Sequence, residues 1–306
     1  MRQRAPRRIL HSIVGTSLFA IVLAAAPPAR ATFSGTNGLL VFDGGSLANN
    51  IYTAKADGTG LTTVLSNGYV NWYATWSPDG SQIAFSSNMA GANNYDIWIM
   101  NANGQGLQRL TTSPARDDEP AWTPDGTKIV FVSTRSGNRD LWSINADSSG
   151  GLVQITHNSA SDVDPSISPD GTKVAFASDR SRNYDIWTLP IAGGTPHQVT
   201  TNRSGEDFPD WSPDGSRIVF DSHRSDTWGV YSVLTAGGGL LKIVDAAGVN
   251  EDLPVYSPDG TQIAYRSNGG GHENIWVVPS AGGTPTRVTD TTLAFYELPD
   301  WQPVAG

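Results

Sequence analysis

Trp76-Ser77-Pro78-Asp79-Gly80 is met again as Trp122-Thr123-Pro124-Asp125-Gly126, Ile167-Ser168-Pro169-Asp170-Gly171, Trp211-Ser212-Pro213-Asp214-Gly215 and Tyr256-Ser257-Pro258-Asp259-Gly260, and a decayed copy, Trp301-Gln302-Pro303, closes the chain. The prolines at 78, 124, 169, 213, 258 and 303 are spaced by 46, 45, 44, 45 and 45 residues. Proline presets the first corner of a turn, aspartate tolerates the second, and glycine accepts a positive φ, so each tetrapeptide is a hairpin turn. A period of this length, built from short β-rich runs, is that of a four-stranded propeller blade.

Outward from each turn the strands follow by alternation. The residue before the turn ends an innermost strand. A second strand follows as Ile83-Ala84-Phe85, Ile129-Val130-Phe131, Val174-Ala175-Phe176, Ile218-Val219-Phe220 and Ile263-Ala264-Tyr265, with Leu40-Val41-Phe42 making a sixth. Third strands carry Ile51-Tyr52, Ile97-Trp98, Leu141-Trp142, Ile186-Trp187, Val230-Tyr231 and Ile275-Trp276; the outer strands are short polar-apolar runs such as Leu107 to Thr111. Short polar outer strands protect a sheet edge. The N-terminal portion lacks an innermost strand, and the C-terminus supplies one, Leu298-Pro299-Asp300-Trp301, with nothing after it. The expectation is an all-β, six-bladed propeller over residues 32–306, closed by one blade shared between the two termini. Eight of the ten tryptophans are assigned to core positions on first and third strands, leaving Trp72 and Trp228 in loops on opposite sides of the ring.

Residues 1–31 read as a signal peptide: Arg2, Arg4, Arg7 and Arg8 precede an apolar run from Ile9 to Ala26, and Ala29-Arg30-Ala31 is a small-x-small cleavage site. The Arg7-Arg8 pair suits the twin-arginine route as well as the general one. Either route predicts a periplasmic or extracellular protein. No later stretch is apolar enough to span a bilayer, so no stable membrane insertion is expected. The chain has 20 Lys and Arg against 29 Asp and Glu, and five of those arginines lie in residues 1–31, leaving a mature formal charge of −14. That balance argues against nucleic acid as a partner. With no cysteine, the exported chain holds together without disulfides or thiolate metal sites.

The unit from Asp117-Asp118-Glu119-Pro120 through Trp122-Thr123-Pro124-Asp125-Gly126, Ser133-Thr134-Arg135-Ser136-Gly137-Asn138 and Asp140-Leu141-Trp142 resembles the repeat of the TolB-type, WD40-like (PD40) propellers, over residues 38–303. The resemblance implies a periplasmic component of the Tol-Pal envelope system whose propeller docks on a peptidoglycan-associated lipoprotein. The chain departs from that pattern, because only a few residues separate the cleavage site from the first strand, leaving no room for the family's α/β domain. Similar repeats also build the propellers of some peptidases and pectin-fragment lyases, so the repeat speaks to architecture more strongly than to activity.

On one face of such a ring, the loops entering the innermost strands meet the loops joining second and third strands. The entering loops are expected to carry a carboxylate rim: Asp117, Asp118 and Glu119; Asp162 and Asp164; Glu206 and Asp207; Glu251 and Asp252; and Glu297. The second set adds Arg135, Arg180 and Arg224, with Asn88, Asn268 and Asp43 at the matching places. Arginines facing carboxylates either pair from blade to blade or grip an anionic or peptide-like ligand; a third reading is divalent-cation binding by the rim. The candidate ligand contacts are Arg135, Arg180, Arg224, Asp118, Asp207, Asp252, Glu297, Trp72 and Trp228, since aromatics at a rim suit protein interfaces.

No Gly-x-Ser-x-Gly elbow, His-Glu-x-x-His helix or cysteine nucleophile occurs. The best acid/base candidates are His223 and His272 with Asp226 or Glu273. The expectation is therefore a monomeric binding scaffold without cofactor that presents its channel face to an envelope protein or peptide. The alternative is a carbohydrate- or peptide-processing enzyme at the channel mouth.

Overall fold

The computed structural model describes residues 35–45, 49–91, 94–290 and 295–304. The expected leader and its cleavage site lie outside the described residues. Apart from one 3-10 turn, Asp179–Ser181, the regular elements are β-strands in six four-stranded antiparallel sheets. Blade 1 joins Thr36–Gly45, Asn50–Ala54 and Thr62–Leu65 to the last strand, Phe295–Val304. The innermost strands of blades 2 to 6 are Asn71–Trp76, Asp117–Trp122, Asp162–Ile167, Glu206–Trp211 and Glu251–Tyr256. Each innermost strand touches the next, and the last touches that of blade 2, so the ring closes.

The closing ladder runs from Thr36 opposite Val304 through Leu40 opposite Trp301 to Gly45 opposite Phe295. Both terminal strands are longer than the sequence pattern indicates, because pairing extends past their apolar centres.

The turns form as their chemistry requires. Gly80 N–H donates to the Ser77 carbonyl (2.9 Å), Ser77 Oγ donates to Asp79 Oδ1 (2.6 Å), and Ser77 Oγ accepts from Gln82 N–H (2.9 Å). The glycine φ is 67–72° at Gly80, Gly126, Gly171, Gly215 and Gly260, where a Cβ is strained. Partial burial raises Asp79, but hydrogen bonds from Ser77 and Ser81 outweigh it and hold the carboxyl below its ordinary range.

The core lies between sheets. Phe42, Phe85, Phe131, Phe176 and Phe220 of the second strands are fully buried, as are Trp76 and Trp301 to within 2%. Burying each such ring contributes about 1.5–3 kcal/mol. The third-strand tryptophans Trp98, Trp142, Trp187 and Trp276 are half-buried and pack against the core clusters from their margin. Their neighbours Ile97, Leu141, Ile186 and Ile275 occupy the buried face instead. The outer strands are shorter than expected. In blade 2 only Gln108–Arg109 pairs, because Leu110 and Thr111 N–H both turn to the Ile97 carbonyl and Thr111 Oγ1 accepts from Ile97 N–H (3.0 Å). The same threonine clasp recurs at Thr156, Thr200 and Thr289.

Candidate functional site: the mouth and channel of the ring

The carboxylates expected in entering loops are the opening residues of the innermost strands themselves. Strand alternation turns the first of them inward. Asp117, Asp162 and Glu206 are fully buried. Asp117 accepts from Ser133 Oγ (2.6 Å) and Arg135 (2.6 Å), and Asp162 from Ser178 Oγ (2.6 Å) and Arg180 (2.7 Å); Glu206 pairs with Arg224. Each guanidinium also lies over its own blade's aromatics: Arg135 over Phe131 and Trp142, Arg180 over Phe176 and Trp187, Arg224 over Phe220 and Tyr231.

Arg135, Arg180 and Arg224 are therefore not an open arc, and their pairing is within a blade rather than from blade to blade. Each ties the start of the innermost strand to the hairpin between second and third strands. Asn88 and Asn268 act on the same joint, accepting from Val70 and Asn250 N–H (2.9 Å each). Asp43 is a second-strand residue and fully buried.

Two residues further along, every innermost strand bulges. Tyr73, Glu119, Asp164, Phe208, Leu253 and Leu298 all have φ of 49–58°, and the pairing register slips at each of these stations. Five of the six precede a proline (Pro120, Pro165, Pro209, Pro254, Pro299), which excludes the right-handed helical conformation there. A bulge re-aims the side chain. These six side chains line a cavity of about 180 Å³ at the centre of the ring. Three are polar (Tyr73, Glu119, Asp164) and three apolar (Phe208, Leu253, Leu298), in two contiguous halves.

The bulges are held from the preceding blade. Glu119 Oε2 accepts from Asp164 N–H (2.8 Å) and Asp221 Oδ2 from Leu253 N–H (2.9 Å), while Asp43 receives Tyr73 N–H. Deeper in the channel, Asp210 links three blades by accepting from Ser166 Oγ (2.9 Å) and Tyr256 N–H (2.8 Å). Asp300 accepts from Thr75 Oγ1 (2.9 Å) and Trp76 N–H (2.7 Å) across the closing seam.

Above the bulges a second ring forms the mouth. Its members directly precede the third strands: Asn49, Tyr95, Arg139, Tyr184, Trp228 and Glu273. The carbonyl of each accepts the N–H of the residue that opens the innermost strand of the next blade or, for Glu273, of the strand's second residue, Tyr296, over 2.9–3.5 Å. Trp72 stacks on Tyr95 (5.1 Å between centroids, 4° between planes), with Arg116 4.4 Å over the tyrosine ring. Arg116 and Arg139 both pair with Asp118, and Arg139 also with Glu119. Arg266 grips Asp252 through two nitrogens (2.8 and 2.7 Å) and reaches Glu297 at 2.9 Å.

Of the expected contacts, Asp118, Asp252 and Glu297 are thus taken up by arginines, Asp207 is half-buried and directly precedes the cavity-lining Phe208, and Trp72 and Trp228 stand at the mouth in blades 2 and 5. His223 and His272 are exposed; the His223 ring packs edge-on against Trp228 (5.4 Å, 71°), and among the described residues neither imidazole forms an ion pair. Tyr73, Arg139, Tyr184 and Phe208 escaped the sequence reading. Local signals mark three of them: Phe208 precedes the innermost-strand proline, and Arg139 and Tyr184 precede the Asp-Ile-Trp-like third-strand motif, whereas Tyr73 precedes Ala74 and carries neither.

The site is an electrostatically loaded one. Burial, and then Asp118, push Glu119 up to about 7 against the opposing pull of Arg139. Burial, and then Glu119, raise Asp164 well above the carboxylate range, and burial alone lifts Asp207 to about 6. Among the described residues no group of three or more His, Asp or Glu side chains is arranged to hold a metal ion.

The family model described as TolB beta propeller domain matches residues 46–152. The fold is similar to TolB from Acinetobacter baumannii (21% identity, 87% of this chain and 67% of that one, TM-score 0.76). It is also similar to a putative TolB from Agrobacterium tumefaciens (19% identity, 87% of this chain and 100% of that one, TM-score 0.69). The ring is thus similar in fold to the TolB propeller, and the family match itself lies within residues 46–152. No curated protein matches the chain in sequence. Kuenenia stuttgartiensis hydrazine synthase is similar at comparable level (16% identity, 90% of this chain and 47% of that one, TM-score 0.72), so the TolB-like ring by itself does not separate binding from catalysis. Among the described residues of this propeller no helix is long and apolar enough to cross a membrane.

Proposed function

We propose that the protein is an exported, monomeric, non-enzymatic scaffold whose channel mouth binds a protein or peptide of the cell envelope. The observation that carries this reading is the mouth itself, where backbone stations fixed by one recurrent hydrogen bond present different side chains in each blade around a central cavity. Trp72, Tyr95, Tyr184 and Trp228 supply aromatic contact area, as interface centres favour. Trp72, Trp228 and Asp207 are the direct contacts; Asp118, Asp252, Glu297 and the arginines Arg135, Arg180 and Arg224 hold the mouth in shape. Export is supported by the leader-like residues 1–31, and a protein partner by the TolB-like fold.

The test is capture from an envelope extract by the mature protein and by Trp72→Ala/Trp228→Ala. The double variant is expected to lose the captured species while melting within about 4 °C of the wild type, since both rings are half-exposed. Capture that is indifferent to the two substitutions overturns the reading. So does turnover of a glycan or peptide that His272→Ala abolishes, which would favour catalysis at the mouth.

A further inference from the structure

Opposite chemistries face each other across the cavity. Phe208, Leu253 and Leu298 form one wall, and Glu119 and Asp164 belong to the other. The cations near this face are already committed, Arg139 to Glu119 and Asp118, Arg266 to Asp252 and Glu297. Among the described residues the carboxyls of Asp164 and Asp207 form no ion pair and receive no hydrogen bond, although the charge of Arg139 reaches Asp164. Asp221 stands behind them, 1% exposed, with Oδ2 on Leu253 N–H and Oδ1 without a partner. Asp164 is pushed up by burial, then by Glu119 and Asp207 and, less, by Asp221, with Arg139 opposing them, so these carboxyls crowd one another along the boundary between the polar and apolar walls.

Crowded carboxyls at a cavity, two of them without an ion pair, take up a cation from outside, which relieves their mutual repulsion and favours their ionised form. The arrangement does not suit a bare metal ion, because the carboxylates do not converge as ligands. It does suit an amphipathic cation, whose apolar stem lies on one wall while its charged head stays by the other. Resting on the reading of the mouth as a peptide site, the geometry points to the cavity as the receptor for a Lys or Arg side chain of the bound partner, its methylenes along Phe208 and Leu253 and its head group at Asp164 and Asp207. An aromatic ring beside the same head group adds a cation–π contact.

The experiment selects a phage-displayed random 12-residue peptide library on the mature protein, residues 32–306, and remeasures recovered peptides after Lys or Arg is replaced by Gln. The expected result is enrichment of peptides bearing Lys or Arg, with affinity lost at least about tenfold on that replacement and equally on Asp164→Asn/Asp207→Asn. The exposed pair Asp57→Asn/Asp147→Asn, which removes the same charge far from the mouth, is expected to change affinity less than about twofold at physiological salt. Binders that need Trp228 yet ignore both the Gln replacement and Asp164→Asn/Asp207→Asn overturn the cation site and leave the mouth reading intact. A library that yields no Trp228-dependent binder overturns both. Calcium chloride binding at Asp164 and Asp207 without peptide binding also overturns the inference.

Discussion

At the turn end of the innermost strands, five blades use one solution: a hydroxyl, a proline, an aspartate and a glycine closing the same hydrogen bonds. At the mouth end the backbone is just as regular, with one bulge and one inter-blade hydrogen bond per blade, but the side chains are Tyr, Glu, Asp, Phe, Leu and Leu at one station and Asn, Tyr, Arg, Tyr, Trp and Glu at the other. Repetition of side chains marks where the fold is being specified. Repetition of backbone with divergent side chains marks where a surface is being offered. The buried Arg–carboxylate pairs belong to the first class although they lie near the mouth, which is why their exposure to a ligand is small.

Opening the ring is the largest way to break this contrast, since both ends depend on closure. Deleting residues 297–306 removes most of the innermost strand of blade 1 and Trp301, which is 2% exposed. Truncating one core aromatic costs about 3–5 kcal/mol, against a net stability of about 5–15. Circular dichroism melting should find no cooperative transition, or one lowered by more than about 10 °C; a deletion as stable as residues 32–306 would break the shared-blade account.

A smaller effect sharpens the division between repeated and divergent stations. Arg180→Met leaves the fully buried Asp162 without its charge partner, which is expected to cost about 3–5 kcal/mol in urea unfolding. Adding Asp162→Asn should recover part of that loss, because the buried charge is then gone. A single variant with wild-type stability would remove Arg180 from the structural class.

The smallest effect is in pH. Burial raises Asp210 to about 7 and Asp300 to about 6, in each case against hydrogen bonds that lower it. A carboxyl raised by folding favours the folded state while it stays protonated there, so its contribution is whole below about pH 4 and is lost as pH rises through 6 to 7. The melting temperature should therefore fall between pH 5 and pH 8. Asp300→Asn keeps an acceptor for Thr75 and Trp76 and should flatten that slope; an unchanged slope would mean that Asp300 does not titrate with folding.

How much of this was legible in the sequence follows the range of the interactions. The turns were readable because Pro78, Asp79 and Gly80 act within four residues, and closure was readable because the missing strand at one end and the spare strand at the other are both visible as pattern. Where Asp117 and Arg135 point was not readable, since a strand that starts at its carboxylate, and not after it, turns that side chain inward. Nor was the split of the cavity readable from charge alone. It depends on a bulge that carries Asp164 and Phe208 into the channel and on Arg139, which stands in only one blade and so breaks no visible repeat.

The shared blade also sets a schedule. Leu40 is made 261 residues before its partner Trp301, and at ordinary synthesis rates of 5–20 residues per second that is a wait of roughly 10–50 s. By its end blades 2 to 6 possess all four of their strands while blade 1 has three, its inner edge unpaired and open to the wrong neighbour. The inner edge of Thr36–Gly45 is thus paired only once Phe295–Val304 joins it.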